Sequence, residues 1–403
     1  MPTSIMGDNS AMSSKLNMLL VSFSRLVSDA RILKQIKLFA PQYTLTTCGY
    51  GPSPAGVTRH IQIPDTAIYW RRSRPALIMH AYEKAYWSSA AVQFCAKHLA
   101  QNHYDIVFAD DIDTVGLALW LRPKLGVHAD LHEYSPREKE DVWRWRVFVK
   151  PYMEWQVRHF VAKANSVTST SKGFRQAYLE NFGVDSTVVV NAAPFADLGP
   201  RSLEENQQPG DNGRLRVVHA GAGREDRYLE RMIEAVAALP ERYTLDMYLT
   251  PNNAGYIRSL EEKAAGIENV RVLPGVDYQD LMPTLNHYDL GIHNLPPVNF
   301  NNHWALPNKF FDFVQARIGM VVGPTPEITE RVNEYQLGRV AAGYETKDLI
   351  AALQATTPEE VETWKQHAHR VAPELSSQHV VNLWDEAIKT WLPTDTVERD
   401  NHE

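Results

Sequence analysis

Apolar and polar positions alternate along the first half of the chain in the pattern of strands and helices. Residues 17–23 form an apolar run of strand length, and residues 29–39 carry apolar side chains on one face of a helix. Residues 43–47 return to a strand pattern, which completes a β-α-β unit. The pattern predicts further strands at 106–109, 126–131 and 166–169, and helices at 75–101, 114–125 and 141–164.

The same alternation restarts after residues 198–213, which are rich in Gly, Pro, Asn, Gln and Glu and have no apolar period. Such a composition is typical of an interdomain linker or a flexible loop. We therefore expect two doubly wound α/β domains, with a ligand in a cleft at the carboxyl ends of their parallel strands. In the second half we expect strands at 215–220, 244–249, 270–273, 290–293 and 320–322, and helices at 228–239, 257–265, 278–288, 359–371 and 379–391.

Composition narrows the class of protein. The 403 residues are 44% hydrophobic and 22% charged, as in an ordinary globular protein of two or three domains. The net charge of −7 gives no support to a nucleic-acid partner. Cys48 and Cys95 are too few for a disulfide framework, which favours a reducing compartment. The apolar runs fall short of the ~20 residues of a membrane span, and residues 1–15 lack the apolar core of a signal peptide, so we expect a cytoplasmic protein.

The first candidate ligand-binding residues lie within the segment 300–327. A polar loop at 301–308 precedes an apolar-periodic helix, so Lys309 stands at a helix start where backbone amides are unpaired and the dipole is positive. An anion is expected there. Asp312 follows about one turn later, within reach of a ribose diol, so the sequence predicts a bound nucleoside diphosphate. The alternative is a buried helix with a solvated Lys and Asp.

The stretch Leu306-Pro307-Asn308-Lys309-Phe310-Phe311-Asp312, with Ala316 and Val321-Val322 after it, resembles the donor-binding helix of GT-B glycosyltransferases. It is most similar to the large retaining family that builds bacterial surface polysaccharides and glycolipids. The resemblance implies that Asp312 contacts the donor ribose, where the family usually has glutamate. The family places a second glutamate eight positions earlier, near the sugar, where this chain has Trp304. The remaining donor-binding candidates are Leu306, Pro307, Asn308 and Lys309.

A glycine turn with two arginines follows the strand at 215–220. Glycines let the backbone approach a bound group, and guanidinium groups suit phosphate oxygens. The resemblance implies an Arg and a Lys facing the diphosphate; Arg227 stands at the Lys position, and Arg224 is the substitute for the Arg, since Ala222 fills its place. A solvated surface turn is the alternative. The candidates here are Gly221, Gly223, Arg224 and Arg227.

Ionisable residues also end the strand at 126–131. The resemblance implies that Asp130, His132 and Glu133 contact the transferred sugar or the acceptor, whereas a polar rim is the alternative. All three can face a ligand only if the strand ends by His132. The acidic run at 110–113 is interpreted as a helix cap or solvated loop and not as a metal site, because in this fold cations replace the metal. We also consider Arg25, in the first loop, as a phosphate or acceptor contact.

The sequence therefore predicts a GT-B fold of two Rossmann-like domains facing a central cleft. The function expected is metal-independent transfer of a sugar from a UDP- or GDP-linked donor to a glycan or lipid-linked acceptor in cell-surface polysaccharide synthesis, without a cofactor. The resemblance implies retention of anomeric configuration. A nucleotide-sugar epimerase, a phosphorylase and an inactive partner protein are the alternatives. The expected division is a disordered start at 1–15, an acceptor domain at 16–197, a linker at 198–213, a donor domain at 214–372, and a helix crossing back with a tail at 373–403.

Two segments interleave aromatic residues with cations, at 69–74 and 143–150. Aromatic rings and basic side chains together favour peripheral contact with an anionic membrane on its cytoplasmic face, where lipid-linked acceptors would be reached. The alternative places Trp143, Val147 and Pro151 in an ordinary core, because they are spaced about one helical turn apart.

Overall fold

The computed structural model describes residues 15–393. Residues 1–14 and 394–403 lie outside the described residues. They include nearly all of the disordered start expected at 1–15 and the end of the tail expected within 373–403. Contacts group the chain into two compact units. One takes the described residues up to Asp130 together with Lys163–Ser166, and the other takes Leu131–Ala162 and the chain from Val167 onward.

The first sheet has seven parallel strands in the order β3-β2-β1-β4-β5-β6-β7. The chain reverses its direction of travel across the sheet at β1, which pairs with both β2 and β4. This order confirms a doubly wound, Rossmann-like sheet. Its strands are β1 Asn17–Arg25, β2 Thr44–Tyr50, β3 Arg59–Ile63, β4 Ile106–Asp110, β5 Gly126–Leu131, β6 Ser166–Ser169 and β7 Thr187–Val188.

The second sheet has six parallel strands in the order β10-β9-β8-β11-β12-β13. Its strands are β8 Leu215–Ala222, β9 Tyr243–Thr250, β10 Val270–Pro274, β11 Leu290–His293, β12 Gly319–Val322 and β13 Gly338–Val340. Here β8 pairs with β9 on one side and with β11 on the other, so the strand order reverses at β8. A ligand of such a sheet binds beyond the carboxyl ends of the strands at that switch point.

The helices alternate with the strands, as the sequence predicts. The helices that precede β8 are α1 Ala30–Phe39, α2 Arg74–Ile78, α3 Tyr82–Trp87, α4 Ala90–His98, α5 Ile112–Trp120, α6 Trp143–Phe148, α7 Lys150–His159, α8 Lys172–Phe182 and α9 Leu203–Asn206. Those that follow β8 are α10 Glu230–Ala237, α11 Ala254–Ala264, α12 Tyr278–Asn286, α13 Phe300–Trp304, α14 Asn308–Gln315, α15 Pro326–Tyr335, α16 Thr346–Ala355, α17 Pro358–Val371, α18 Ser377–Val380 and α19 Asn382–Lys389. The helix expected at 359–371 is α17, and the one expected at 379–391 is replaced by the two short helices α18 and α19. That the end of the chain crosses back to the N-terminal domain stays a prediction.

Apolar residues cover both faces of the six-stranded sheet. On β12, Val321 belongs to one core cluster, and Met320 and Val322 belong to the other. Successive side chains of a strand point to opposite faces, so each face has its own core. A parallel sheet needs this double cover because its crossover helices pack on both sides, which explains the nearly unbroken apolar strands of the sequence.

The predicted elements differ from the observed ones where helices break. The single helix expected at 75–101 is three helices, α2 to α4, and the one expected at 141–164 is interrupted at Val149 before Pro151. Proline lacks the amide hydrogen of a helix interior, so it starts α7 instead of continuing α6. The loop expected at 301–308 contains the short helix α13, which Asn299 caps through the amide of Asn302 at 2.8 Å.

The predicted linker at 198–213 is partly built into the second unit. Its helix α9 ends at Asn206, which is fully buried and donates to the carbonyl of Tyr288 at 2.8 Å and to Asp289 Oδ1 at 2.9 Å. Asp289 also accepts from the amide of Arg216 at 2.8 Å and pairs with Lys365 Nζ at 3.3 Å. Both charged side chains are 0% exposed, so each depends on the other for neutralisation.

The two cysteines lie together inside the first unit. Cys48 on β2 and Cys95 on α4 are free and buried, and their Sγ atoms are 3.5 Å apart. The hydrogen bond to Cys95, together with burial, raises the pKa of the Cys48 thiol well above its usual value. The Cys48 group is therefore held as a thiol.

Among residues 15–393, no helix combines the length and the apolar character that crossing a membrane requires.

Candidate functional site

The turn after β8 brings three elements together. A Cβ built on Gly221 would lie 3.1 Å from Lys309 Cε and 3.6 Å from His219 Nε2, so these side chains flank the bare backbone of Gly221. Gly223 has a different role: a Cβ there would lie 2.5 Å from Ile257 Cγ1. The structure thus brings Gly221 beside Lys309, and it packs Ile257 of α11 against Gly223.

Helix α14 presents Lys309 and Asp312 together. Pro307 precedes the helix in an extended conformation, and no side chain of the described chain caps the first amides. Lys309 Nζ lies 2.9 Å from Asp312 Oδ2, with the two side chains 15% and 5% exposed. A cation, open amides and a carboxylate acceptor therefore lie within one helical turn.

The residues next to Lys309 position that helix. Leu306 packs against the core cluster on this side of the sheet. The exposed Asn308 accepts a hydrogen bond at Oδ1 from Asn191 Nδ2 at 3.2 Å. Neither contact involves a charge, so Lys309 and Asp312 carry the charges at this helix start.

The two arginines of the turn have different surroundings. Arg224 is exposed and donates to both carboxylate oxygens of Asp226, at 3.0 and 2.8 Å. Arg227 is half-buried, and its Nε has no hydrogen-bond partner in the part of the chain that the structure describes. Burial, and then the nearby Arg224, lowers the pKa of Arg227. A half-buried guanidinium with an unused Nε donor is a group that an anion would satisfy.

Two histidines at this site were not singled out from the sequence. His219 and His293 lie near the carboxyl ends of the adjacent strands β8 and β11, with ring centroids 5.9 Å apart and ring planes 7° apart. His219 Nδ1 lies 2.9 Å from the carbonyl oxygen of Ile292. Neither ring nitrogen of His293, which is 3% exposed, has a hydrogen-bond partner among residues 15–393. Polar side chains in otherwise apolar strands were the available signal.

Trp304 packs against another helix. A Cβ built on Gly173 would lie 2.2 Å from Trp304 Cδ2, so the indole ring occupies the space next to the first turn of α8. Glu327 Oε1 accepts the Gly173 amide at 3.0 Å on the same turn. The resemblance implies a sugar-contacting glutamate at this position, where this chain instead has a residue that packs against α8.

The acidic end of β5 separates into a buried and an accessible part. The strand ends at Leu131, before His132, so strand alternation does not force His132 and Glu133 to opposite faces. Asp130 is fully buried and accepts two hydrogen bonds from Arg31, Nε and Nη2 each at 2.7 Å. Because the guanidinium occupies both carboxylate oxygens, Asp130 is an ion-pair partner of α1 in this structure.

His132 and Glu133 follow in the second unit. The carbonyl of His132 accepts from the Thr170 hydroxyl at 2.8 Å, and Glu133 Oε2 accepts from Asn301 Nδ2 at 3.1 Å. The Glu133 side chain reaches solvent but is crowded by protein, and this loss of hydration, followed by the charge of Glu138, raises its pKa. Glu133 is thus the carboxyl group of the trio suited to exchange a proton.

The acidic run at 110–113 is engaged within the first unit. Asp111 caps α5 by accepting from the amide of Ile112 at 2.8 Å, and Asp113 pairs with Arg72. Asp110 is buried and accepts from Gln35 Nε2 at 3.4 Å. The expected cap is therefore found at Asp111.

Solved structures share this architecture over nearly the whole chain. HepE of Anabaena in complex with UDP-glucose matches with a TM-score of 0.67 at 14% identity, over 93% of this chain and 100% of its own. Sucrose-phosphate synthase of Thermosynechococcus elongatus matches at 0.67 and 12%, over 93% and 98%. The α,α-trehalose 6-phosphate synthase of Burkholderia multivorans matches at 0.67 and 12%, over 94% and 99%. No protein-family model and no curated protein sequence matches. The chain has the GT-B fold.

Proposed function

We propose that this protein is a glycosyltransferase that moves a sugar from a nucleoside diphosphate-sugar to a glycan or lipid-linked acceptor. The observation that carries the proposal is the cluster at the switch point of the six-stranded sheet, where Lys309 and Gly221 meet beside Arg227 and Asp312. Cations, open amides and a bare glycine backbone suit a diphosphate, and the carboxylate suits a ribose diol. The structure of HepE with UDP-glucose, on the same fold, supports this ligand class.

The proposed chemistry follows from charge. The bond between the anomeric carbon and the diphosphate oxygen breaks, its electron pair stays on the diphosphate, and the acceptor hydroxyl forms the new bond and loses its proton. Lys309, Arg227 and the first amides of α14 would stabilise the growing negative charge without needing a metal ion. We propose retention of configuration, and a role in cell-surface polysaccharide synthesis, on the resemblance alone.

A scan of nucleoside diphosphate-sugars by thermal shift tests the ligand class, with UDP-glucose and GDP-mannose as the first probes. Product analysis with and without acceptors then separates the reactions. A new glycoside supports the transferase, whereas an altered sugar formed without any acceptor would indicate an epimerase. Sugar phosphate release from a glycan would indicate a phosphorylase, and tight binding without any turnover would indicate an inactive partner protein.

Asp312→Ala is expected to weaken binding of the matching nucleoside diphosphate by about 1 to 3 kcal/mol, because a charged hydrogen bond to the ribose is lost. Lys309 already occupies Asp312 Oδ2, which leaves Oδ1 for a ribose hydroxyl. Calorimetry measures the change, and Asp312→Asn, which keeps an acceptor at the same place, is the matched comparison. Equal affinity in wild type and Asp312→Ala would remove Asp312 from the site.

The segment around α6 supports contact with an anionic membrane. Helix α6 buries none of its residues, and Trp143 is 58% exposed with the Arg144 guanidinium 5.4 Å from its ring centroid. Val147 is also exposed, so the alternative that placed Trp143 and Val147 in a core is wrong. Exposed indole and aliphatic groups next to cations suit the interface of anionic lipids. We propose peripheral attachment at the cytoplasmic face of a membrane through this segment.

The protein is expected to co-sediment with anionic liposomes at low salt, where screening is weakest, and to be released as salt increases. Charge reversal of Arg144 and Arg146 should release it as well. Reversal of Arg258 and Arg370, which are also exposed but lie on other helices, is the matched control and should leave sedimentation unchanged. Failure to sediment at low salt would instead favour a soluble acceptor.

A further inference from the structure

The hydrogen bond of His219 fixes which nitrogen carries its proton. Nδ1 lies 2.9 Å from the carbonyl oxygen of Ile292, and a carbonyl oxygen only accepts, so Nδ1 is the donor. In the neutral ring Nε2 then carries a lone pair and no hydrogen. That same Nε2 lies beside Gly221, 3.6 Å from where a Cβ would stand, next to Lys309 Cε. An acceptor atom therefore faces the place proposed for an anion.

A lone pair and a phosphate oxygen repel each other, so the neutral ring cannot contribute a hydrogen bond to the ligand at Nε2. We propose that His219 takes up a proton when the diphosphate of the donor binds beside Gly221, and that its Nε2–H then donates to a phosphate oxygen. The inference rests on the proposed function, because it assigns a proton to the anion-binding step of that same site. The Nδ1 bond to Ile292 persists in both states and holds the ring in place.

The surroundings of His219 explain why the proton is absent before the ligand arrives. Lys309 faces it from α14, Arg227 from the segment after β8, and His293 from β11, whereas the nearest carboxylate on α14, Asp312, is paired with Lys309. Burial first, and then the charges of Lys309 and Arg227, lowers the pKa of His219 to about 4. A bound diphosphate reverses the sign of the local field, which favours the imidazolium.

The neighbouring histidine limits uptake to one proton. The rings of His219 and His293 are stacked with centroids 5.9 Å apart, so two imidazolium ions would repel each other there. Burial and the nearby His219 lower the pKa of His293 well below its usual value. His219 has a carbonyl acceptor ready for its Nδ1–H, and His293 has none among residues 15–393. The proton therefore goes to His219.

Calorimetry with UDP-glucose, or with another nucleoside diphosphate-sugar that the thermal-shift scan finds to bind, tests the proposal. Both phosphates of such a ligand are esterified, so the ligand itself exchanges no proton at about pH 5 to 8. Titration in two buffers of different ionisation enthalpy counts the protons taken up. Wild type is expected to gain close to one proton at the acidic end, and affinity should rise by nearly tenfold per pH unit as pH falls.

His219→Gln should still bind the ligand but take up no proton, and its affinity should lose the pH dependence. His219→Asn serves if the first variant unfolds at a lower temperature than the wild type. Binding by wild type without proton uptake would overturn the proposal, and so would uptake that is unchanged in His219→Gln. Uptake that is lost only in His293→Gln would move the role to the other ring. If no nucleoside diphosphate-sugar binds at all, the proposed function fails and this inference fails with it.

Discussion

Lys309→Ala is expected to lower turnover with the correct donor and acceptor by about 100-fold, because a fixed cation matters most where charge grows during bond breaking. The Lys309 side chain passes beside Gly221 at its Cε, and Asp312 holds its ammonium group at 2.9 Å, so it needs little reorganisation as the diphosphate leaves. Steady-state kinetics should show a larger loss in kcat than in donor affinity. Arg227→Ala should behave similarly, since its guanidinium is half-buried beside the same site.

The control for Lys309→Ala is Lys263→Ala on α11, which removes an exposed lysine paired with Glu234 and should leave turnover unchanged. The double variant Lys309→Ala with Asp312→Ala separates loss of the cation from the repulsion of an unpaired carboxylate. Turnover should also persist in EDTA. Activity that disappears with chelation and returns with Mg²⁺ or Mn²⁺ would contradict the metal-free mechanism.

Lys365→Ala is expected to reduce the free energy of unfolding by about 3 to 5 kcal/mol, because it leaves Asp289 charged and unpaired in the core. Both side chains are completely buried. Asp289 also accepts hydrogen bonds from the side-chain amide of Asn206 and from the backbone amide of Arg216, near the start of β8. Urea denaturation of the purified protein measures the change. The effect should be on stability rather than on nucleotide affinity, because Asp289 precedes β11 and the candidate site lies at its other end.

The matched control is Lys172→Ala, which removes a lysine whose pair with Glu330 is 52% exposed on both sides and should cost less than about 1 kcal/mol. Lys365→Met combined with Asp289→Asn should recover part of the stability that either change alone removes, because no uncompensated charge then remains. A loss below about 1 kcal/mol for Lys365→Ala would show that the pair is not essential to the fold.

The sequence predicted those parts of the site that are local along the chain. Lys309 and Asp312 are three residues apart on one helix, so the helical period alone places them together, and the structure joins them at 2.9 Å. Two edge strands were not predicted from the sequence. Strands Arg59–Ile63 and Gly338–Val340 lie at the edges of their sheets, where one side has no partner strand. Both strands are short and partly polar, so neither carries the continuous apolar run of a central strand.

Long-range partners could not be predicted in this way. His219 and His293 are 74 positions apart by their residue numbers, and only the pairing of β8 with β11 brings their rings together. Asp130 was a candidate contact for the sugar or the acceptor, but nothing in the sequence pattern indicated its partner Arg31, which lies 99 residues away. The position of the Trp304 ring likewise depends on a distant residue, because the ring packs where Gly173 has no side chain. Sheet order and chain crossing decide such contacts, and a periodic pattern contains neither.

The buried thiol pair makes this protein convenient to label. Its only cysteines are Cys48 and Cys95, and both are buried in the first unit. The pKa of the Cys48 thiol is also raised, so a maleimide should not react with the folded chain. A cysteine introduced on a surface helix would then be the single reactive group, and a dye placed there would report on one known position. In the wild-type protein, the rate at which Cys48 and Cys95 react with a thiol reagent measures how often the first unit opens.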